Sequence, residues 1–296
     1  MRITFKRTVS IILAVITAFA LAIPAFAAST STFSELTNRF TVCKAENGMK
    51  YAIFEPDIEE GQKYPLVIFV HGLSHGWTNS SFVKSGLTYW ADEEMQAKFK
   101  EGGAYLLMPK IPEVVVTAFQ TDKVFNVIDE FVKTHKDTVD EKQIYIMGAS
   151  AGGALTWRII TDHPGYFKKA IPMCGIKWLS RKEAKAIADT PVWMISAKTD
   201  ILVWYWLFSL PNWNTLTKNS NVKDQCRHTV FSGSVYQADG SRAFVSHRLY
   251  NTIGHNLCYI SDDQPIKGCT TIDGNKSTVT ISFDNSVIEW LQNDIE

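Results

Sequence analysis

The feature that most constrains the fold is a serine bracketed by glycines between an apolar strand and a helix. Ile144–Met147 is a short apolar run, Gly148-Ala149-Ser150-Ala151-Gly152 follows it, and a helical pattern begins directly after Ser150. A strand that reverses into a helix within so few residues brings backbones close together, so side chains at Gly148 and Gly152 would collide with neighbouring elements. The turn therefore predicts that Ser150 stands clear of a sheet edge, where it can act as a nucleophile.

Short apolar runs alternate with helical patterns along the rest of the chain. Leu66–Val70 is apolar at every position, which is typical of a strand covered on both faces in a parallel sheet. The positions from Val124 to Val132 follow the spacing of a helix with one apolar face. Similar strand-like runs are Ala104–Met108, Ile144–Met147, Ala170–Met173 and Val192–Ile195. The alternation predicts an α/β fold, with a mostly parallel central sheet and helices on both faces.

Several local patterns predict the remaining elements. Asn47-Gly48 joins two strand-like runs, Phe40 to Lys44 and Lys50 to Glu55, in an expected edge hairpin, and Asp273-Gly274 predicts another hairpin. Ser180 with Glu183 is a capping-box pattern at the start of a helix. The chain closes with an expected helix around Val287–Leu291.

A nucleophilic serine needs a histidine as base and a carboxylate to orient that histidine. In a sheet of this kind the expected order is Ser, acid, His. Asp200 ends the polar turn after the Val192–Ile195 strand and is the preferred acid, ahead of Asp189 and Asp239. The preferred base is His255, which follows Gly254 in a loop ahead of the last helix.

The other downstream histidines have structural interpretations. His163 is expected as a surface residue at the end of the helix that follows Ser150. His228 and His247 are expected at half-exposed positions in the two arms of a hairpin around Asp239-Gly240.

The oxyanion hole is expected to consist of two backbone amides. One is that of Ala151, because free amide groups at a helix N-terminus point toward a developing negative charge. The other is that of Leu73, in the His71-Gly72-Leu73 loop after the Leu66–Val70 strand. His71 is then expected to bond nearby loops and not to act as a second base.

Bulk properties narrow the class of partner. Lys and Arg together number 30, as do Asp and Glu, so no excess charge favours nucleic acid or an anionic membrane surface. The expected partner is a small-molecule or polymer-linked ester, or a peptide.

The N-terminus has the pattern of a secretory signal peptide. Basic residues precede the apolar run Val9 to Ile23, and Ala25-Phe26-Ala27 forms a small-residue cleavage site. We expect cleavage after Ala27, secretion, and no membrane attachment afterwards. Residues 28–296 are expected to form a single domain, with a lid or insert at about 204–250.

The five cysteines are Cys43, Cys174, Cys226, Cys258 and Cys269. Export permits disulfides, and an odd number leaves at least one thiol unpaired. Cys258 and Cys269 flank one loop and form a plausible pair, Cys226 is the competing partner, and free thiols remain the alternative. Cys174 is interpreted as a core residue. No cysteine or histidine grouping has zinc spacing, so no metal is expected.

The chain resembles secreted bacterial α/β-hydrolases, in particular the group of feruloyl and acetylxylan-type esterases, polyhydroxybutyrate depolymerase-like esterases and prolyl-oligopeptidase-like predicted peptidases. The resemblance is carried by Val70-His71-Gly72, Gly148–Trp157, Pro164 with Phe167, Ala170–Gly175, Asp200 and Gly254-His255. It covers roughly residues 64–200 and resumes at His255. It implies the α/β-hydrolase fold, the Ser150, Asp200 and His255 triad, and hydrolysis of esters or amides without a cofactor.

Two departures fall where substrate would bind. Ile201–Trp206 is unusually aromatic, and the stretch from Cys258 to Thr280 is longer than in such relatives. Trp204, Trp206 and Trp213, together with Tyr205, are candidates for an aromatic platform for a sugar or phenolic group, although a lid packed on the core is the preferred explanation.

Three functions follow as hypotheses. The first is a secreted serine esterase, and the second is a peptidase with the same triad. The third is a polysaccharide-binding protein without catalysis, against which the ordered Ser, Asp and His argue.

Overall fold

The computed structural model describes residues 30–72, 81–83, 86–111, 118–236, 267–280 and 283–293. The predicted signal peptide, Leu73, His247, His255 and Cys258 lie outside these ranges, so the expectations placed on them stay predictions. Among the helices within these ranges, none combines the length and apolar character needed to cross a membrane.

The described residues form one mixed sheet. Its strands are β1 (Thr41–Lys44), β2 (Lys50–Phe54), β3 (Tyr64–Val70), β4 (Tyr105–Pro109), β5 (Val139–Ala149), β6 (Lys169–Met173), β7 (Trp193–Ala197), β8 (Arg227–Tyr236), β9 (Lys267–Asp273) and β10 (Thr278–Val279). Their spatial order is β1-β2-β4-β3-β5-β6-β7-β8-β9-β10. The strands from β4 to β8 run parallel, and antiparallel strands flank them at both edges.

The helices connect these strands. The α-helices are α1 (Thr30–Asn38), α2 (Glu93–Gln96), α3 (Ala118–Thr134), α4 (Ala151–Asp162), α5 (Arg181–Ala186), α6 (Leu210–Asn219) and α7 (Phe283–Gln292). Short 3₁₀ turns span Ser81–Val83 and Gly86–Ala91, and a π-helix spans Tyr205–Ser209 directly before α6.

Alternate residues of β3 serve two separate cores, one on each face of the sheet. Val67 and Phe69 pack in one hydrophobic cluster, with Trp290 of α7. Leu66 and Ile68 pack in the other, with apolar residues of α3, α4, α5 and α6. All seven residues of β3 are buried, since a strand sandwiched between two helical layers has no exposed face. The predicted α/β architecture is confirmed.

The local predictions match the described elements in most places. β1 and β2 pair as the expected edge hairpin, and β9 and β10 form the hairpin around Asp273-Gly274. Ser180 and Glu183 form the complete capping box of α5.

The interpretation of residues 204–250 as an insert is wrong for the part that the structure describes. α6 packs in the core, and β8 is a central strand that pairs with β7 on one side and β9 on the other. Because both edges of residues 227–231 are paired, His228 does not lie in a separate hairpin with His247. It is 1% exposed, and not half-exposed as expected.

A buried lysine attaches the last helix to the centre of the sheet. Lys169 of β6 is 1% exposed, and its ammonium donates to the carbonyls of Trp290, at 2.5 Å, and Asn293. These carbonyls lie at the end of α7, where a helix has unpaired acceptors and the negative end of its dipole. The ammonium of Lys169 therefore caps the C-terminal end of α7.

Lys169→Met is expected to lower the free energy of unfolding by about 1.5–3 kcal/mol, because the carbonyls of Trp290 and Asn293 lose a charged donor. Denaturant titration of the purified protein measures the change. The exposed Lys182→Met in α5 is the matched control and is expected to stay within about 0.5 kcal/mol of the parent. Equal stability of the two variants would contradict the assigned role.

Candidate active site

Ser150 occupies a strained turn between β5 and α4. Its backbone has φ 58° and ψ −118°, a conformation that residues other than glycine rarely adopt. Its amide donates to Met173 O at 2.9 Å, and its carbonyl accepts from Ala154 N at 2.9 Å. Such strain costs about 1–3 kcal/mol and persists only where the surrounding structure enforces it.

Close backbone contacts enforce this turn. A Cβ on Gly152 would lie 1.8 Å from Val70 O, and one on Gly148 would lie 2.6 Å from Gly152 O. Gly153 and Gly175 are equally crowded, since a Cβ on Gly153 would lie 2.2 Å from Met173 O and one on Gly175 would lie 2.5 Å from Gly153 C. The first turn of α4 therefore rests directly on the ends of β3 and β6.

Ala151, the candidate oxyanion donor, is the first residue of α4 and is 9% exposed. Amide groups in the first turn of a helix have no acceptor within the helix, so they can bind an anion. Leu73, the other candidate donor, lies outside the described residues.

Asp200 lies just beyond β7, at the same edge of the sheet as Ser150, because β5, β6 and β7 run parallel. Its side chain is 5% exposed, and Oδ1 accepts from Leu202 N at 2.9 Å and Val203 N at 2.8 Å. Asp200 thus forms the kind of turn that aspartate commonly makes with its own backbone. A carboxylate has two oxygens, so this turn is compatible with an acid that orients a histidine through the other one.

His71 has the structural role expected from the sequence. It is fully buried, Ile111 N donates to its Nε2 at 3.0 Å, and its Nδ1 lies 2.7 Å from Gly72 O. Because Nε2 accepts a hydrogen bond, the proton of the neutral ring is on Nδ1, which donates to Gly72. The imidazole therefore joins the loop after β3 to the segment after β4.

His163 ends α4, and its ring stacks on Phe125 of α3 with centroids 3.4 Å apart. It is partly buried, so it is a packing residue between helices and less exposed than the sequence suggested.

The candidate platform residues have different surroundings. Trp204 and Trp206 are 59% and 67% exposed, whereas Trp213 is 5% exposed and packs in the core, with its ring 5.2 Å from that of His228. Tyr205 is also buried and stacks on His228. Exposed indole faces therefore come only from Trp204 and Trp206 among the three predicted tryptophans.

The exposed ring of Trp178 was not singled out from the sequence. It is 63% exposed, it follows β6, and its ring contacts that of Phe208, which belongs to the same π-helix as Trp206. A single tryptophan between Lys177 and Leu179 has no local pattern that distinguishes it from a core residue.

The cysteines in the described residues are not part of this site. Cys174 is 3% exposed, and Cys226 is fully buried and makes no disulfide with another described residue. No disulfide joins two of the described cysteines, and Cys258 lies outside the described residues, so its pairing with Cys269 and the alternative of free thiols both stay predictions. The described residues also hold no group of three His, Cys, Asp or Glu side chains able to bind a metal ion.

Ser196 and His228, a second serine and histidine, form a hydrogen bond that lies in the core. His228 Nε2 lies 2.8 Å from Ser196 Oγ, and both side chains are buried. Burial lowers the pKa of His228 to about 3. The pair is closed to solvent, so it supports Tyr205 and Trp213 and is not an alternative catalytic site.

Gly152→Ala is expected to lower the free energy of unfolding by more than about 4 kcal/mol or to abolish folding, because the new methyl overlaps Val70 O. The control is Gly61→Ala, where φ is +80° and a Cβ meets nothing within 4 Å. This control is expected to cost only about 1–2 kcal/mol, from the left-handed backbone alone. Similar losses for the two variants, measured by denaturant titration, would show that the contact at Gly152 is unimportant.

His228 is expected to make stability depend on pH between about 3 and 6.5. In that window the unfolded state binds a proton that the folded state does not, so the free energy of unfolding falls as pH falls, by about 1.4 kcal/mol per pH unit. The measurement compares the parent with His228→Asn at pH 7 and pH 4.5. The stability gap between them should narrow at the lower pH, and a constant gap would contradict a neutral buried imidazole.

Comparison with known proteins supports the same group of folds. Residues 120–201, from α3 to the turn after Asp200, match the model of the prolyl oligopeptidase family, Peptidase_S9. A thermostable esterase is similar with a TM-score of 0.56 and 26% identity, over 66% of this chain and 55% of that one. No match was found among curated proteins.

Two further solved structures show weaker similarity. The acylaminoacyl peptidase of Pyrococcus horikoshii has a TM-score of 0.46 and 18% identity, over 61% of this chain and 34% of that one. The feruloyl esterase module from Clostridium thermocellum has a TM-score of 0.47 and 16% identity, over 60% of this chain and 71% of that one.

The chain thus spans about half the length of the thermostable esterase and about a third of the peptidase. Its strand order, its strained serine turn and these similarities together show an α/β-hydrolase fold, in which residues 120–201 are similar to the prolyl oligopeptidase family.

Proposed function

We propose that the chain is a secreted serine hydrolase that cleaves carboxylic esters, with Ser150 as nucleophile, His255 as general base and Asp200 as the acid that orients it. The observation that carries this proposal is the strained backbone of Ser150, which lies between a central parallel strand and a helix N-terminus. That turn presents a hydroxyl beside free amide groups, which is the arrangement that acyl transfer needs.

The proposed reaction has two halves. His255 takes the proton of Ser150 as Oγ attacks the ester carbonyl, and the amides of Ala151 and Leu73 donate hydrogen bonds to the oxyanion. The intermediate collapses, the ester bond breaks, and the alcohol leaves with the proton from His255. Water then attacks the acyl-enzyme with His255 as base, which releases the acid and restores Ser150. No cofactor takes part in these steps.

Asp200 is suited to its proposed part because its position is fixed before substrate binds. The amides of Leu202 and Val203 both donate to Oδ1, so the carboxylate cannot rotate without breaking two hydrogen bonds. A fixed carboxylate lowers the cost of orienting an imidazole, because less freedom is lost when the reaction begins.

An ester is favoured over an amide because the thermostable esterase is similar to this chain at 26% identity. A peptidase with the same residues is the second candidate, since residues 120–201 match the prolyl oligopeptidase family. Exposed indoles at Trp204 and Trp206 favour a substrate with a flat apolar part, such as a polymer-linked ester.

A binding protein without catalysis is a poorer explanation. Binding of polysaccharide needs no serine in a backbone conformation that costs about 1–3 kcal/mol. The strain is readily explained if the serine hydroxyl has to reach a reacting carbonyl.

Ser150→Ala is expected to lower kcat for p-nitrophenyl acetate by at least about 10³-fold, and Asp200→Asn and His255→Gln are expected to do so by similar factors. Initial rates on that ester and on a prolyl p-nitroanilide, measured in parallel, separate the esterase from the peptidase.

Matched controls change the same residue types outside the proposed triad. They are Ser180→Ala at the start of α5, Asp189→Asn and His163→Gln, each expected to keep most of the parent rate. An unchanged rate for Ser150→Ala would exclude the proposed nucleophile, and a higher rate on the anilide would favour the peptidase.

A further inference from the structure

Exposed apolar side chains concentrate on two short segments of the sheet edge. Nine large hydrophobic residues are exposed within the described part of the chain, and six of them lie here. Residues 176–178 and 201–208 are called the apolar rim below. Its exposed members are Ile176, Trp178, Ile201, Trp204, Trp206 and Leu207, and the other three exposed residues are Val42, Ile58 and Tyr89. Contiguous apolar patches of this kind mark interaction surfaces, whereas single exposed residues need no explanation.

The apolar rim lies beside the candidate nucleophile. Its first segment follows β6 and its second follows β7, while Ser150 follows β5, and these three parallel strands are neighbours. The rings of Trp178 and Phe208 lie 5.1 Å apart and join the two segments. A partner that binds to this surface therefore also approaches the sheet edge where Ser150 lies.

The rim is held in its exposed arrangement by buried groups. Asn212 of α6, which is 2% exposed, accepts from Leu179 N and donates to Lys177 O, both at 2.8 Å, and so fixes the backbone on each side of Trp178. The indole of Trp204 donates to Ile201 O at 2.8 Å. Exposure of these rings is thus built into the fold.

The charges of the rim indicate which kind of partner it fits. Lys177 is the one charged side chain within residues 176–178 and 201–208, and its ammonium pairs with Glu183 at 2.5 Å. A surface without free cations has no attraction for anionic lipids, which are bound by lysine and arginine clusters. Charge complementarity therefore points to an uncharged partner.

The side-chain types narrow the partner further. Indole rings can stack on sugars, but Ile176, Ile201 and Leu207 offer no flat face and no hydrogen bond to a hydroxyl-rich polymer. Tryptophan mixed with branched aliphatic residues is instead the composition of surfaces that enter an apolar phase at its boundary with water.

We propose that the apolar rim is an interfacial docking surface, by which the protein adsorbs to a water-insoluble, uncharged ester and brings Ser150 to the boundary of that phase. The identity of the adsorbed ester as substrate rests on the proposed function. Adsorption itself requires no nucleophile, so it can be tested without turnover.

The test uses the full protein with Ser150→Ala and a trioctanoylglycerol emulsion, with bound protein measured by flotation of the droplets. The Ser150→Ala protein is expected to float. Addition of Trp178→Ser and Leu207→Ser is expected to lower the partition coefficient at least tenfold, because two exposed apolar side chains are lost on different segments. The pair Trp206→Ser and Leu207→Ser is a second variant, in case the first does not fold.

The matched control adds Val42→Ser and Ile58→Ser, which remove two exposed apolar side chains outside the rim, and it should float like Ser150→Ala. Equal flotation of rim and control variants would overturn the proposal. So would adsorption to insoluble xylan, or to phosphatidylglycerol vesicles, in preference to the droplets. Absence of p-nitrophenyl acetate hydrolysis by the parent would instead count against the proposed function and leave the flotation result standing.

Discussion

The contact of the first turn of α4 with the ends of β3 and β6 fixes the geometry on which the rest of the sheet edge depends. Gly152 approaches Val70 O, and Gly153 approaches Met173 O, more closely than any side chain would allow. Backbone atoms cannot rotate out of the way as side chains do. The positions of the serine, the loop after β3 and the segment after β6 are therefore all fixed by this one contact. The strain at Ser150 is consistent with this contact, because Ser150 is bonded to Met173 O and α4 begins at the next residue.

The carboxylate of Asp200 fixes the backbone of the segment that follows β7 at this edge of the sheet. The turn that Leu202 and Val203 make around Asp200 leads directly into the π-helix, a rare form that often occurs at functional sites. Within it, Tyr205 points down onto His228 while Trp206 points outward. The same short segment therefore holds the candidate acid from one side and forms the second half of the apolar rim. A change that disturbs Tyr205 should affect both.

The sequence predicts the elements whose burial is visible in local patterns. β3 is apolar from Leu66 to Val70, the glycines of the serine turn have a steric reason, and the capping box of α5 is formed by residues three positions apart. The central position of β8 could not be predicted in this way, because Arg227-His228-Thr229 looks like a half-exposed strand. Its polar groups have partners on β7: the guanidinium of Arg227 lies over Trp193, Ser196 bonds the buried His228, and the buried Thr229 accepts from Trp193 Nε1 at 2.8 Å. The aromatic run after Asp200 has the same ambiguity, since its exposed and buried rings differ only in tertiary contacts.

The buried ammonium of Lys169 has a consequence for the order in which the chain acquires its structure. β6 lies next to the strand that leads to Ser150, yet the carbonyls that solvate its lysine belong to residues 290 and 293. Until that helix docks, the Lys169 ammonium lacks these two acceptors, so closing β6 over it would bury a charge with fewer hydrogen bonds than it has in the folded protein. The central strands are therefore expected to close only when α7 docks, which links the completion of the core to residues 290–293.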